Sequence, residues 1–328
     1  MDFVAPGRDA VIWFNRPAAR LDSADVLRQV SSVRAALNRM GYRTHELPFS
    51  LDVELLREHL RRLTPAFVVN LVEEVEEDGS LIHLAPAMLE SLGVRYTGCP
   101  SGPMYLTTDK ILAKRKFLDF DIDTPGWLSR RDRHAFEPGG DFIIKALSED
   151  ASIGMDEDCV VCGKTEAELL RLLDAKDAQT GRAHFAERFI DGREFNIGMF
   201  GGYQAPQLLP VAEIVFPEDF GRKRRILDYR AKWDETSEQF QRTGRRYDFP
   251  QSDLPAIAEV QRIAELCWRK FSFKGYARAD FRIDAAGRPW LLEINPNPDI
   301  GPDGGFMAAV RRAGLDEEHV LDRIVQLA

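Results

Sequence analysis

The sequence predicts a mixed chain, with a parallel α/β unit followed by α+β layers. Three observations carry this. Strands alternate with helices up to Thr97, strands outnumber helices after Asp141, and there are 328 residues. At roughly 100–200 residues per domain that length makes about two or three packed units.

In chain order, Val11–Asn15 is a short apolar strand. Val26, Leu27, Val30, Val33 and Leu37 recur at helical spacing, so 23–40 is a helix stopped by Gly41. Residues 42–47 read as a strand, 53–63 as a helix, 66–71 as a strand, 84–92 as a helix ended by Gly93, and 94–97 as a strand. The turn-rich run Gly98-Cys99-Pro100-Ser101-Gly102-Pro103 marks a boundary. A helix over 107–120 stops before Pro125. Strands follow at 141–147, 158–162, 184–190, 194–201 and 208–216, interrupted by one helix over 166–175. A loop with basic clusters covers 217–250. A helix over 253–271, strands at 276–283 and 290–295, and a helical C-terminus complete the chain.

The 44 basic and 53 acidic side chains leave a net charge of −9. That balance argues against a nucleic-acid protein, whose affinity comes from neutralising phosphates. No apolar run reaches the roughly 20 residues that span a bilayer. Asp2 and the short run 11–14 do not make a signal peptide. A cytoplasmic protein is the expectation.

Several motifs fail. Cys159 and Cys162 spell C-x-x-C, but no second pair accompanies them, and an offset of three on a strand puts the thiols on opposite faces. Reduced, partly buried thiols are expected. Gly163-Lys164-Thr165 ends like a phosphate-binding loop, yet Asp158 stands where its first glycine belongs. No G-x-G-x-x-G follows the first strand, and neither G-x-S-x-G nor H-E-x-x-H occurs.

The segment 276–298 is the most informative. Ala279, Phe281 and Ile283 alternate with Arg278, Asp280 and Arg282, and Leu292 and Ile294 with Glu293 and Asn295. This is a hairpin. A symmetric turn at Ala286-Gly287 sets Asp280 opposite Glu293 and Arg278 opposite Asn295, on one face. Two carboxylates and an amide suit Mg²⁺, and the arginine suits a developing anion. The alternative is a solvated face in which Arg278 and Arg282 balance the acids.

Lys145 sits within Phe142-Ile143-Ile144-Lys145-Ala146-Leu147, where burial demands a partner such as a phosphate, or an edge position that reaches solvent. Lys110 and Lys114 lie one helical turn apart, a spacing that usually marks a solvated face. Glu187 and Phe189 lead through Asp191-Gly192 to Glu194. Such a linker offers backbone groups to an adenine edge and a carboxylate to a ribose, or is an ordinary hairpin.

In this order, these residues resemble the ATP-grasp superfamily, and within it the D-alanine–D-alanine ligase-like branch. The resemblance runs from about Asn70 to Pro298. It includes Glu77-Asp78-Gly79, Gly93 to Gly98, Asp109-Lys110 with Lys114, Thr124-Pro125, Ile143-Ile144-Lys145 and Ser152 to Met155. It continues with Glu187 to Glu194, Asp228 to Lys232, Arg278 to Phe281 and Leu292 to Asn295. It implies an ATP-grasp fold: a pre-ATP-grasp α/β domain over 1–100, then subdomains over 101–182 and 183–328 that grip ATP, the latter with the metal site.

The resemblance also implies an ATP-dependent carboxylate–amine ligase that forms a dipeptide or related amide through an acyl phosphate. Lys110 and Lys145 would hold phosphates. Glu187, Arg188, Phe189 and Ile190 would contact adenine, and Glu194 the ribose. Phe281 belongs with these cofactor-binding residues. Lys232 would reach the γ-phosphate region, Arg278 would stabilise the oxyanion, and Ser152 would lie on a catalytic loop that closes over the phosphates. Asp280, Glu293 and Asn295 would bind two Mg²⁺ ions, with Mn²⁺ as the alternative. Partners would be small carboxylate and amine substrates, with no nucleic acid or membrane; related ligases are often dimers, and the sequence leaves a homodimer open.

Departures fall on the substrate side. Asn15 to Arg20 lacks the family's glycines and Glu. Ala151 replaces a Ser, and Trp233 replaces a Tyr. Asn295-Pro296-Asn297-Pro298-Asp299 replaces N-T-x-P-G. A substrate other than D-alanine is therefore expected. Arg222 to Arg225 and Arg245-Arg246 flank the Lys232 loop, and could recognise an anionic substrate or be solvated. A phosphotransferase and a non-catalytic ATP-binding regulator are the competing readings.

Overall fold

The computed structural model describes residues 7–16, 23–149, 155, 159–221, 225–227, 232, 234 and 236–328. Its strands form three sheets.

In the first sheet, β1 (Asp9–Asn15) lies between β2 (Arg43–Phe49) and β3 (Phe67–Leu71), all parallel. Every residue of β1 is buried. Ala10, Ile12 and Phe14 pack with Val26, Val30 and Val33 of helix Ser23–Arg39, while Val11 and Trp13 pack with Leu56 and Leu60 of helix Val53–Leu63. Cover on both faces explains the unbroken apolar run from Ala10 to Phe14. The expected strand at 94–97 amounts to one parallel bridge between Tyr96 and Val68.

The expected helix at 107–120 requires correction. One helix spans Ser101–Thr108 and a second spans Lys110–Asp119. Asp109 separates them at φ −78°, ψ 109°, and its side chain accepts from Leu112 N at 2.9 Å. A capping side chain between two helical runs starts a new helix in a new direction.

The central sheet has the order β5-β4-β8-β6-β7 and is antiparallel. Its strands are β4 (Trp127–Leu128), β5 (Arg133–His134), β6 (Asp141–Ala146), β7 (Val160–Cys162) and β8 (His184–Arg188). Helix Glu166–Thr180 covers one face with Leu169 and Leu173 against Phe142, Ile144 and Ala186. The helix outruns its expected end at 175 and stops at Gly181, in the left-handed region at φ 70°. Strand β8 is bonded into this sheet and the next strand into the third, so the hydrogen-bonding changes sheet after Arg188. Cys159 is buried and Cys162 exposed, neither in a disulfide, and the opposite exposures follow the alternation.

The third sheet has the order β12-β11-β9-β13-β14, with β10 beside β9. It comprises β9 (Gly192–Gly201), β10 (Pro206–Leu208), β11 (Ala212–Val215), β12 (Gly244–Arg246), β13 (Gly275–Asp284) and β14 (Pro289–Asn295). The expected strand 208–216 is split into β10 and β11 around Pro210, which has no N–H to give a ladder. Ile197, Ala279 and Phe281 on one face meet Val260, Ala264 and Trp268 of helix Leu254–Phe271. The other face of β13 carries Arg278, Asp280 and Arg282. Gly275, at φ 88°, touches the first unit; a Cβ there would lie 2.6 Å from the Gly98 carbonyl carbon.

Candidate active site

The central and third sheets bound a cleft of about 1010 Å³. Lys110, Lys145, Glu187, Arg188, Phe189, Ile190, Glu194, Lys232, Arg278, Asp280, Glu293 and Asn295 all line it. Phe281 does not. It is fully buried against helix Leu254–Phe271, because an odd offset from Asp280 turns it to the other face of β13. Ser152, Ala151, Arg222 to Arg224 and Trp233 lie outside the described residues.

Lys145 is neither at an edge nor unpartnered within the protein. On β6, Ile143 and Lys145 face the cleft while Phe142 and Ile144 face the helix. Glu187 of β8 sits diagonally across from Lys145, and Lys145 Nζ donates to Glu187 Oε1 at 2.6 Å. Lys114 reaches the same carboxylate from below, Nζ to Oε2 at 2.6 Å, and also donates to Thr124 Oγ1 at 2.7 Å. The expectation of a solvated Lys110–Lys114 face is therefore corrected, since Lys114 is fully buried. Burial pushes the Lys114 ammonium down to about 8, although Glu187 opposes the shift. Burial would raise the Glu187 carboxyl, but Lys114 and Lys145 overcome it and hold the group below the usual carboxylate range. Both Glu187 oxygens thus stand within 2.6 Å of a lysine, and the residue lines the cleft.

Lys110 opens its helix. Its Nζ donates to Glu149 O at 2.7 Å and stands 3.2 Å from Glu293 Oε2. The hairpin brings Asp280 opposite Glu293 and Arg278 opposite Asn295, as the alternation predicted. Arg278 grips Asp280 through Nε and Nη2, both at 2.8 Å. Asn295 Oδ1 accepts from Asn297 N at 2.8 Å. Burial opposes ionisation of Glu293, but Lys110, Lys145, Lys232 and Arg278 draw it down to about 2. The donor set is thus an ionised carboxylate, a second carboxylate paired with a cation, and an amide oxygen. Among the described residues no cluster of three His, Cys, Asp or Glu exists. Two carboxylates with room for water and phosphate oxygens fit Mg²⁺, which rarely takes an all-protein cage. Lys232 lines the same region, its ammonium disfavoured by burial and then by Arg278.

Arg282 was not singled out as a site residue. It is buried, its guanidinium lies 3.0 Å from Glu194 Oε2, and it donates to Ile190 O at 3.0 Å and to Arg225 O. Its guanidinium carbon stands 5.0 Å from the Phe189 ring centre. It fastens the linker after β8 to β9, and the counter-ion is Glu194 rather than Asp280 or Glu293. Arg225 folds back onto its own loop, donating to Phe220 O and Glu218 O.

The far end of the cleft is lined by Asp25, Arg28, Glu73, Arg245, Tyr247, Asp299 and Gly304-Gly305. Gln29 ties it together, donating to Asp299 Oδ1 at 2.6 Å and Glu73 Oε1 at 3.3 Å. Burial, then Asp25, pushes the Asp299 carboxyl up to about 6.

Residues 141–326 match the family model described as D-ala D-ala ligase C-terminus. The chain is 30% identical to a D-alanine–D-alanine ligase of Cupriavidus pinatubonensis, over 98% of this chain and 92% of that protein. It is 32% identical to one from Bordetella petrii, over 100% and 94%. The uncharacterised protein y4sG of Sinorhizobium fredii is 27% identical over 92% and 87%. Among solved structures, a D-alanine–D-alanine ligase from Bacillus anthracis complexed with ATP superposes with a TM-score of 0.73 at 18% identity, covering 97% of this chain and 96% of that one. D-alanyl-alanine synthetase A from Vibrio cholerae gives 0.75 at 15%, covering 98% of both. These two likenesses establish the shared fold.

Proposed function

Because this chain belongs to the D-alanine–D-alanine ligase family of the ATP-grasp superfamily, and so is an ATP-dependent ligase that forms an amide, we propose a division of labour within its cleft. The carrying observation is that Lys110, Lys145 and Lys232 share one cleft with Asp280, Glu293, Asn295 and Arg278. Lysines and acids of that kind match a metal-bound triphosphate.

Lys110 and Lys145 hold phosphates, and Lys232 reaches the γ-phosphoryl group. Glu187 aims Lys145 and balances Lys114. Arg188, Phe189 and Ile190 border the adenine, Glu194 meets the ribose, and Arg282 fixes the segment between them. Asp280, Glu293 and Asn295 would hold two Mg²⁺ ions, which when bound spread the triphosphate charge. An oxygen of the donor carboxylate attacks the γ-phosphorus and ADP leaves. The amine of the acceptor attacks the resulting acyl carbon, and phosphate departs. Arg278 stabilises the oxyanion between those events. The low water content of a closed cleft protects the acyl phosphate.

The substrates differ from a pair of D-alanines in this proposal. The support is the acceptor end, where Asp299 stands in place of the family's glycine and accepts from Gln29 Nε2, which also donates to Glu73 Oε1. The test is ADP and phosphate release with a panel of amino acids, with mass detection of products. An amide mass accompanying release is expected. Release without any amide would refute the ligase and favour a phosphotransferase, and binding without release would favour a regulator.

A further inference from the structure

Arg245 and Arg246 are adjacent in sequence but do different work. Strand β12 pairs with β11, setting Arg246 opposite Glu213 and Arg245 opposite Ile214. Glu213 faces away from the cleft, where it accepts from Arg246 Nε at 2.9 Å and from Arg193 Nε at 2.8 Å. Ile214 lines the cleft, and so does Arg245. Across the sheet Ile214 lies beside Glu194, and Glu194 beside Arg282. Arg245 therefore ends a row of side chains on the cleft face, three strands from β13.

Most other cations there have protein partners. Lys110 stands by Glu293, Lys145 by Glu187, Arg278 by Asp280, Arg282 by Glu194 and Arg28 by Asp25. The Arg245 side chain makes no hydrogen bond or ion pair with any described residue. Its guanidinium lies over the start of helix Gly305–Arg312, where a Cβ on Gly305 would meet Nη2 at 3.5 Å. The glycine leaves that nitrogen uncovered. Of the acids nearby, Asp299 accepts from Gln29 and Gly301 N, Asp25 pairs with Arg28, and Asp303 is exposed at the rim.

Resting on the ligase reading, we propose that Arg245 determines acceptor specificity by binding a carboxylate remote from the reacting carbon, so that the acceptor is a dicarboxylic amino acid. Arg278 beside Asp280 serves the reacting centre. Their backbones lie three strand spacings of about 4.8 Å apart across the sheet and four residues apart along it, because Arg245 is level with Arg282, so two long side chains that converge on the cleft serve two different groups on one ligand. A planar guanidinium with no internal partner fits a carboxylate in a two-point geometry.

The test uses the full chain with AMP-PNP and Mg²⁺. Calorimetry measures binding of alanine, aspartate and glutamate in both configurations, and mass detection follows amide formation with ATP in parallel. Aspartate or glutamate should bind about ten- to a hundredfold more tightly than alanine, the range of a charge-assisted hydrogen bond. Arg245→Ala should remove that preference while AMP-PNP binding stays within about twofold. Arg246→Ala removes the same charge from the outer face and should keep the preference. Arg245→Glu should repel the dicarboxylates, and circular dichroism confirms its fold. Equal affinity for alanine and glutamate in the parent would overturn the proposal, and so would an equal loss for both in Arg245→Ala, which would assign Arg245 to the α-carboxylate. Arg245-dependent glutamate binding without any amide would uphold this proposal and remove the ligase reading. Amides from alanine that are indifferent to Arg245 would do the reverse.

Discussion

Replacing Glu187 by Gln would remove one negative charge from between two buried ammonium groups. The perturbation is nearly isosteric, so packing is preserved and the effect is electrostatic. Side-chain exposure is 0% for Lys114, 2% for Glu187 and 10% for Lys145, so water cannot replace the lost carboxylate. Breaking a buried pair costs about 3–5 kcal/mol. At about 2–4 °C per kcal/mol, the melting temperature near pH 7 should fall by roughly 6–20 °C. The Lys114 ammonium, already at about 8, should shift lower still. The sign follows. Folded Lys114 then holds fewer protons than the unfolded chain, whose lysines titrate near 10.4, so stability rises with pH across that window. The parent gains in the same way above about 8, so the deficit of Glu187→Gln should shrink as the pH rises to about 8 and level off above it. Adding Lys114→Met should restore much of the loss, because removing both partners leaves no stranded charge. Differential scanning calorimetry of the parent, both single variants and the double variant closes the cycle. A loss below about 2 °C in Glu187→Gln would refute the buried network.

Asp280→Ala or Glu293→Ala should lower turnover at least about a hundredfold while circular dichroism stays unchanged; full activity in either would remove the metal assignment. Asp299 has a raised carboxyl, so the folded state retains a proton between pH 4 and 6 that the unfolded state has lost, and ionised Asp299 costs stability above about 6. Asp299→Asn should therefore melt higher at pH 7.5 by about 2–4 °C, with no gain below pH 4, and a lower melting temperature at pH 7.5 would contradict this. Gly275→Ala should cost at least about 2 kcal/mol in urea unfolding, since it adds a Cβ against Gly98 at positive φ; an unchanged midpoint would show that the contact yields freely.

Local pattern made the strands and most helices readable, because period and capping act within a few residues. The Asp280–Glu293 pairing was also readable, though by a simpler route than the chain takes. Next to the turn, Ile283 pairs with Pro289 and Arg282 with Trp290, one residue out from the symmetric arrangement, and a bulge that accommodates Leu292 restores the expected pairing at Asp280. The role of Lys114 was hidden, since its counter-ion Glu187 lies on another element far along the chain. Spacing alone could show only that Lys114 shares a face with Lys110. Strands β4, β5 and β12 are too short to show a period, so the separation of Arg245 from Arg246 emerged only with the sheet. Phe281 is different: the alternation that placed Asp280 in the cleft already placed Phe281 outside it.

The central claim is that a carboxylate is activated as an acyl phosphate and captured by an amine. Oxygen tracing tests it most directly. The donor acid is supplied with ¹⁸O in its carboxylate, and the phosphate released during amide formation is weighed. Attack on the γ-phosphorus followed by displacement of phosphate carries one donor oxygen into each phosphate, so a mass increase of one label is predicted. Phosphate that carries no donor oxygen would contradict the account.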